Sequence, residues 1–312
     1  NDPTGKLLAL KPDVTLSIAK NTADNETEPR KLFYSENVYR VSGSTKSFRE
    51  IMQVGLECIG DIDDYNILEV LTLAAESLKT ISDDFVLDIS HLGILSSVIG
   101  KLGISPTSLK KLTQAIGEKN IHAISAICES EGVCSDCLKK LVSTYGSVDK
   151  VAPLLKELKL EDDADKLINI VSSLEKKGLK GKVRIDFSVI NDMNYYNGFV
   201  FKGFINGVYS GILSGGQYDN LMNKMGRKSG AIGFAVYLDM LKRFSENEKT
   251  FDVDTVILYN SDSDFTELQS VVNSLIASGK TVMAQKSKPE NIRFRQLLKL
   301  TAEGVETIEQ NA

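Results

Sequence analysis

The first residues that could do chemistry lie in the stretch 52–59, where polar and apolar positions alternate. Successive side chains of a strand point to opposite faces, so Gln53, Gly55 and Glu57 share one face and Val54, Leu56 and Cys58 the other. The apolar face reads as core. The polar face sets an amide, a gap and a carboxylate in a row, which suits the floor of a small polar pocket. A solvated face on a half-buried antiparallel sheet carries the same alternation, and periodicity alone leaves both open. Gly215-Gly216 is a second such place: it breaks a sheet and admits a backbone or a ligand, or it is only a turn. His91, at a helix start, reads as a structural hydrogen-bonding residue, because no partner acid is placed by the sequence. Cys134-Ser135-Asp136-Cys137 has the spacing of half a zinc site, with Cys128 and His122 the nearest further ligands. A structural zinc site normally needs a second ligand pair, so no metal is expected.

These residues need elements to hold them. Strands are expected at 6–10, 31–40, 52–59, 86–89 and 182–189, and a helix at 67–80. Residues 105–180 carry an unbroken helical pattern of Leu and Ile, punctuated by Gly and Ser-Pro, as a separate insertion would. Asn206-Gly207 between 199–205 and 208–213 is the clearest hairpin signal, since that dipeptide accepts positive φ at both turn positions. Residues 231–241 read as a strand or tight turn entering a helix. Beyond Phe251 the order is strand 255–259, helix 265–277, strand 281–284, the beginning of an α/β domain, followed by a polar helix. The abrupt opening and this ending both suggest missing segments.

Composition narrows the classes. Among 312 residues 42% are hydrophobic and 25% charged, with a net charge of −5 and no Lys/Arg block. Phosphate binding over a broad surface needs clustered cations, so a nucleic-acid surface is not expected; Lys286, Lys288, Arg293 and Arg295 read as a solvated face. No apolar run approaches the roughly 20 residues that span a bilayer. Without a secretory signal, the four cysteines are expected as thiols in a cytoplasmic protein.

Taken in order, several segments resemble the histidyl-tRNA synthetase family. Leu10-Lys11-Pro12-Asp13-Val14-Thr15 is similar to that family's Leu-Arg-Pro-Glu-x-Thr, with the aspartate of its regulatory paralogue, the ATP phosphoribosyltransferase regulatory subunits. Tyr34-Ser35-Glu36-Asn37-Val38-Tyr39-Arg40 and the segment 48–57 resemble class II motif 2 and the strand after it. Leu87-Asp88-Ile89-Ser90-His91-Leu92-Gly93 resembles a segment of the regulatory branch. Asn194-Tyr195-Tyr196-Asn197-Gly198 falls where the synthetases carry Asp-Tyr-Tyr. Gly215-Gly216-Gln217-Tyr218-Asp219 and Gly233-Phe234-Ala235 resemble the Gly-Gly-Arg-Tyr-Asp segment and the start of motif 3. Each piece is weak alone, and their order over most of 5–245 is not.

The resemblance implies an α+β fold. A class II aminoacyl-tRNA synthetase-like antiparallel sheet flanked by helices would come from 1–90 and 181–245, with a helical insertion at 91–180 and a small α/β domain at 250–312. It implies a histidine pocket, in which Asp13, Thr15 and Gln53 hold the α-amino group and Arg40 the carboxylate. Glu57 would accept from the imidazole, with Tyr196 on its other side and Tyr195 a further ligand-binding residue; the alternative, from strand alternation, turns Tyr195 into the core. It also implies losses. Asn191 stands where the synthetases have an arginine, Met240 ends Tyr237-Leu238-Asp239-Met240 where they end Gly-Leu-Glu-Arg, and Arg40-Val41-Ser42 replaces Arg-x-Glu. Removing one preorganised charge costs a factor of about 10² to 10³, so adenylate formation is not expected unless Arg49, Arg184 or Arg227 substitutes. The resemblance therefore implies a non-catalytic histidine-binding subunit without cofactor. Its partners would be L-histidine and the short-form catalytic ATP phosphoribosyltransferase, as a homodimer within a hetero-oligomer. The alternative is a divergent histidine–tRNA ligase.

Overall fold

In the computed structural model, residues 3–23, 28–41, 47–159, 161–190, 195–241, 251–261, 263–301 and 304–311 are described, and the chain divides into two units, Asn1–Leu241 and Lys242–Ala312. The first unit is organised by a seven-stranded sheet. Its strands are β1 (Arg30–Val41), β2 (Phe48–Gly60), β3 (Phe85–His91), β4 (Val183–Ile185), β5 (Phe199–Ile205), β6 (Leu213–Gln217) and β7 (Gly230–Tyr237). They lie in the order β1-β2-β7-β6-β5-β3-β4, antiparallel throughout except for the parallel pair β3–β4 at one edge.

Helix α1 (Thr15–Asn21) precedes the sheet. Helix α2 (Asp64–Ile81) is fixed at its start by Asp63, whose carboxylate accepts from the Asn66 N–H at 2.8 Å. Its stripe Ile67, Val70, Leu71, Ala74, Ala75 and Leu78 follows helical spacing and is buried, with contacts to β2, β3, β5 and β7. Helices α3 (Leu92–Gly100), α4 (Pro106–Gly117), α5 (Ile121–Ser130), α6 (Asp136–Ser143), α7 (Val148–Glu157) and α8 (Glu161–Leu174) form the helical stretch. Ser105 before Pro106, and Asn120 before Ile121, accept backbone N–H groups and start two of them. Lys119 ties this stretch to the sheet through the buried Asp186, at 2.6 Å.

The second unit holds β8 (Val253–Leu258), α10 (Phe265–Ala277, numbered after α9, Asp219–Lys224, of the first unit), β9 (Val282–Gln285), β10 (Phe294–Thr301) and β11 (Gly304–Gln310). The sheet order is β11-β10-β8-β9, with β8 parallel to both neighbours and β10–β11 antiparallel.

Several local expectations are corrected. Residues 6–10 belong to neither sheet, and of 182–189 only Val183–Ile185 is strand. The polar C-terminal helix is instead the β10–β11 hairpin. Asn206-Gly207 does turn the chain, the Val208 N–H donating to the Ile205 carbonyl at 3.1 Å, but only Gly207 has positive φ and strand pairing resumes at Gly203↔Leu213 across a longer loop. Gly215-Gly216 does not break the sheet but lies inside β6, paired with β5 and β7. On β2 the expected burial is partly inverted. Gln53 and Glu57 are each 2% exposed, whereas Val54 is 36% exposed in an apolar groove shared with Phe33, Leu56 and Leu73.

Candidate ligand-binding site

A cavity of about 250 Å³ opens over the central strands, and its wall includes Asp13, Thr15, Arg40, Gln53, Glu57, Tyr195 and Tyr196. All seven residues singled out by sequence are therefore brought together. Tyr34, Tyr218 and Tyr237 also line it and were not singled out. Tyr34 and Tyr218 sit inside segments already noted for their resemblance, but their direction depends on strand register.

Glu57 is the buried centre of this site. Thr15, at the start of α1, donates its hydroxyl to Glu57 Oε1 at 2.6 Å, and the Tyr218 hydroxyl donates to Oε2 at 2.6 Å. Burial nevertheless dominates and pushes the Glu57 carboxyl up to about 7; the Thr15 and Tyr218 hydrogen bonds oppose the shift, and nearby Asp13 adds to it. No cation is among these influences, so two hydroxyl donors do not offset desolvation.

The space around the carboxylate comes from glycine. Gly233 stands opposite Glu57 in the β2–β7 register, and a Cβ there would lie 1.9 Å from Glu57 Oε2. Gly216, opposite Gly233 on β6, would bring a Cβ to 2.7 Å from the Tyr196 ring. Tyr218 is set by the residues on either side. Its N–H donates to the Ala231 carbonyl, while Asp219 accepts from Asn197 Nδ2 and from the Ala231 N–H, each at 2.8 Å.

Tyr195 and Tyr196 lie outside the strands, so alternation does not apply. Both line the cavity, with ring centroids 4.6 Å apart, and Tyr195 lies 5.7 Å from the Tyr218 ring. Burial raises both phenols above their ordinary range. Asp13 accepts from the Leu16 N–H at 3.1 Å, and the Gln53 amide nitrogen is buried with no hydrogen-bond partner among the described residues. Arg40 is exposed at the mouth, its Nε donating to the Pro12 carbonyl at 3.3 Å.

The arginines considered as substitutes do not line the cavity. Arg184 grips Asp88 through two hydrogen bonds of 2.7 and 3.0 Å, and Arg227 donates to the carbonyls of Lys20 and Thr22. Met240 sits in a 3₁₀ turn at Leu238–Leu241, outside the lining. Asn191 and Asn194 lie outside the described residues. His91 is buried beside Phe199, 3.7 Å from the Asp163 carboxylate. Cys134 and Cys137 are exposed thiols, and no group of three His, Cys, Asp or Glu that could hold a metal occurs among the described residues. In the second unit Lys288, Arg293 and Arg295 pair with Glu309, Asp252 and Asp254. No helix among the described residues is long and apolar enough to cross a membrane.

An antiparallel-dominated sheet flanked by helices, with a polar cavity over its central strands, is a class II aminoacyl-tRNA synthetase-like core. A family model described as histidyl-tRNA synthetase matches residues 1–241. The ATP phosphoribosyltransferase regulatory subunit of Caldanaerobacter subterraneus subsp. tengcongensis is 31% identical over 260 residues, covering 79% of this chain and 69% of that protein. Its counterpart from Clostridium botulinum (strain Langeland) is 31% identical over 279 residues, covering 82% and 64%. The chain thus spans about two thirds of the length of these curated relatives. A Bacillus halodurans structure, described as an ATP phosphoribosyltransferase regulatory subunit/histidyl-tRNA synthetase, superposes with a TM-score of 0.66 at 26% identity, over 88% of this chain and 73% of that one. A chain of the ATP phosphoribosyl transferase (HisG:HisZ) complex from Thermotoga maritima shares the fold, with a TM-score of 0.62 at 20% identity, over 76% and 84%. The chain belongs to the histidyl-tRNA synthetase family, in its branch of ATP phosphoribosyltransferase regulatory subunits.

Proposed function

We propose that this chain senses L-histidine and, without catalysing a reaction itself, controls a catalytic ATP phosphoribosyltransferase subunit at the first step of histidine biosynthesis. The observation that carries the reading is Glu57, held at both oxygens on the floor of an amino-acid-sized cavity. In this reading Glu57 accepts a ring N–H from the imidazole, with Tyr195 and Tyr196 beside it. Asp13, Thr15 and Gln53 surround the α-ammonium, and Arg40 meets the α-carboxylate. Charge-assisted hydrogen bonds of this kind contribute roughly 1.5–3 kcal/mol each. Histidine would act on the partner through a coupling free energy of about 1–3 kcal/mol.

Met240 in place of the nucleotide-clamping arginine supports binding without activation. The exposed apolar groove of Phe33, Val54 and Leu73 is consistent with a homodimer inside the hetero-oligomer. The division into 1–90 with 181–245, 91–180 and 250–312, and a cytoplasmic location, belong to the same reading. Histidine–tRNA ligase activity is the second reading, favoured by the family match. Calorimetric titration tests the site and co-elution with the catalytic subunit tests the partner. Histidine binding with co-elution and no histidine-dependent ATP–pyrophosphate exchange is expected. Robust exchange would establish the ligase reading instead.

A further inference from the structure

The mouth of the cavity is built around an aromatic ring. Tyr237 ends β7 opposite Gln53 of β2, and both line the cavity. The Arg40 guanidinium lies over the Tyr237 ring, 5.8 Å from its centroid, while Arg40 Nε donates to the Pro12 carbonyl. That hydrogen bond uses Nε and not Nη1 or Nη2, a pair that can meet a carboxylate side by side. Tyr237 lines the same cavity as Tyr34 and Tyr196. The space it closes, about 250 Å³, falls below the roughly 300–1,000 Å³ of ordinary small-molecule sites. Where the resembling motif opens with glycine, this chain has Tyr237.

We infer that Tyr237 sets the length of the ligand: its ring steadies Arg40 against a free α-carboxylate and fills the space that a group attached to that carboxylate would need. The ligand class is then free amino acids, and amides, esters and acyl phosphates of the same amino acid are shut out. This inference rests on the histidine reading above. It makes Tyr237 a positioning residue and gives Arg40 a defined direction despite its exposure. A cation–π contact at an exposed site corresponds to roughly a 2–5-fold effect on affinity.

The test is calorimetric titration of L-histidine, and of L-histidine β-naphthylamide as the extended probe, into the whole chain and three variants. Tyr237→Leu keeps bulk but loses the ring, so histidine binds roughly 2–5-fold more weakly and the naphthylamide stays excluded. Tyr237→Gly weakens histidine similarly and opens the wall, narrowing the preference for histidine over the naphthylamide about tenfold. Tyr237→Phe restores both properties, which a general packing defect would not allow. Unchanged histidine affinity in Tyr237→Leu overturns the clamp, and continued exclusion by a folded Tyr237→Gly overturns the wall. If the glycine variant fails to fold, Tyr237→Ala takes its place for the wall, continued exclusion overturning it, and Tyr237→Leu against Tyr237→Phe decides the clamp. Wild-type protein that binds no histidine brings down the functional reading and this inference together; binding with all three variants like wild type brings down this inference alone.

Discussion

The two ends of the cavity are built from opposite materials. At the inner end a buried carboxylate is fixed by two hydroxyls and walled by Gly233, with no cation among the groups that shift its titration. At the mouth an exposed guanidinium rests on an exposed backbone carbonyl and a ring. Desolvation wins at the inner end and leaves Glu57 short of positive charge, which a ligand imidazole could supply. At the mouth, water and salt already screen the charge. Selectivity for a side chain should therefore reside at the inner end, while the mouth adds a weaker preference for a free carboxylate.

The contrast can be broken most directly at Glu57. Glu57→Ala leaves the buried Tyr218 hydroxyl and the half-buried Thr15 hydroxyl without their acceptor, and histidine affinity should fall about 100-fold or more by calorimetry. A loss no larger than that of an Arg40 variant would erase the distinction between the ends. Stability offers a second route. The Glu57 carboxyl is raised from 4.5 to about 7, so across that window the folded chain keeps a proton that the unfolded chain has released. The contribution is present below pH 4.5 and is lost as pH rises to about 7, by on the order of 3 kcal/mol. Urea unfolding of wild type against Glu57→Gln, at acidic and mildly alkaline pH, should show the gap change by that amount; a constant gap would remove the claim. Tyr218→Phe deletes one of the two donors, and a roughly tenfold weaker histidine complex is expected, with its pH dependence displaced upward. Arg40→Lys should have the smallest effect, a loss of about 2–5-fold that shrinks further at high salt. A salt-independent loss would show the mouth to be more sheltered than its exposure implies.

The floor of the site was legible because Gln53, Gly55 and Glu57 are spaced two apart, and a strand must turn them the same way. Which face is more deeply covered was not, because periodicity carries no record of what lies across the sheet. The polar face is roofed by α1 and by Tyr195 and Tyr218, which belong to distant segments, while the apolar face is only partly covered by α2. Tyr218 was missed for a related reason: its hydroxyl reaches Glu57 only once β6 and β7 are paired in their actual register. The helical run 105–180 could be read because its spacing is local. Asn206-Gly207 misled because a strong turn dipeptide cannot say where the returning strand resumes. The C-terminal hairpin was hidden because β10 is defined by parallel pairing with β8, about forty residues earlier.

The framework around Tyr218 has a kinetic consequence. Asp219 and Asn197 brace the chain beside it, Tyr218 and Thr15 hold both oxygens of Glu57, and Gly233 leaves the space that the carboxylate occupies. A site assembled this fully by its own hydrogen bonds has little rearranging to do when a ligand arrives. Variants at the inner end should then differ mainly in how long the ligand stays and only slightly in how often it is captured, so that residence time becomes the quantity through which this fold tunes its response.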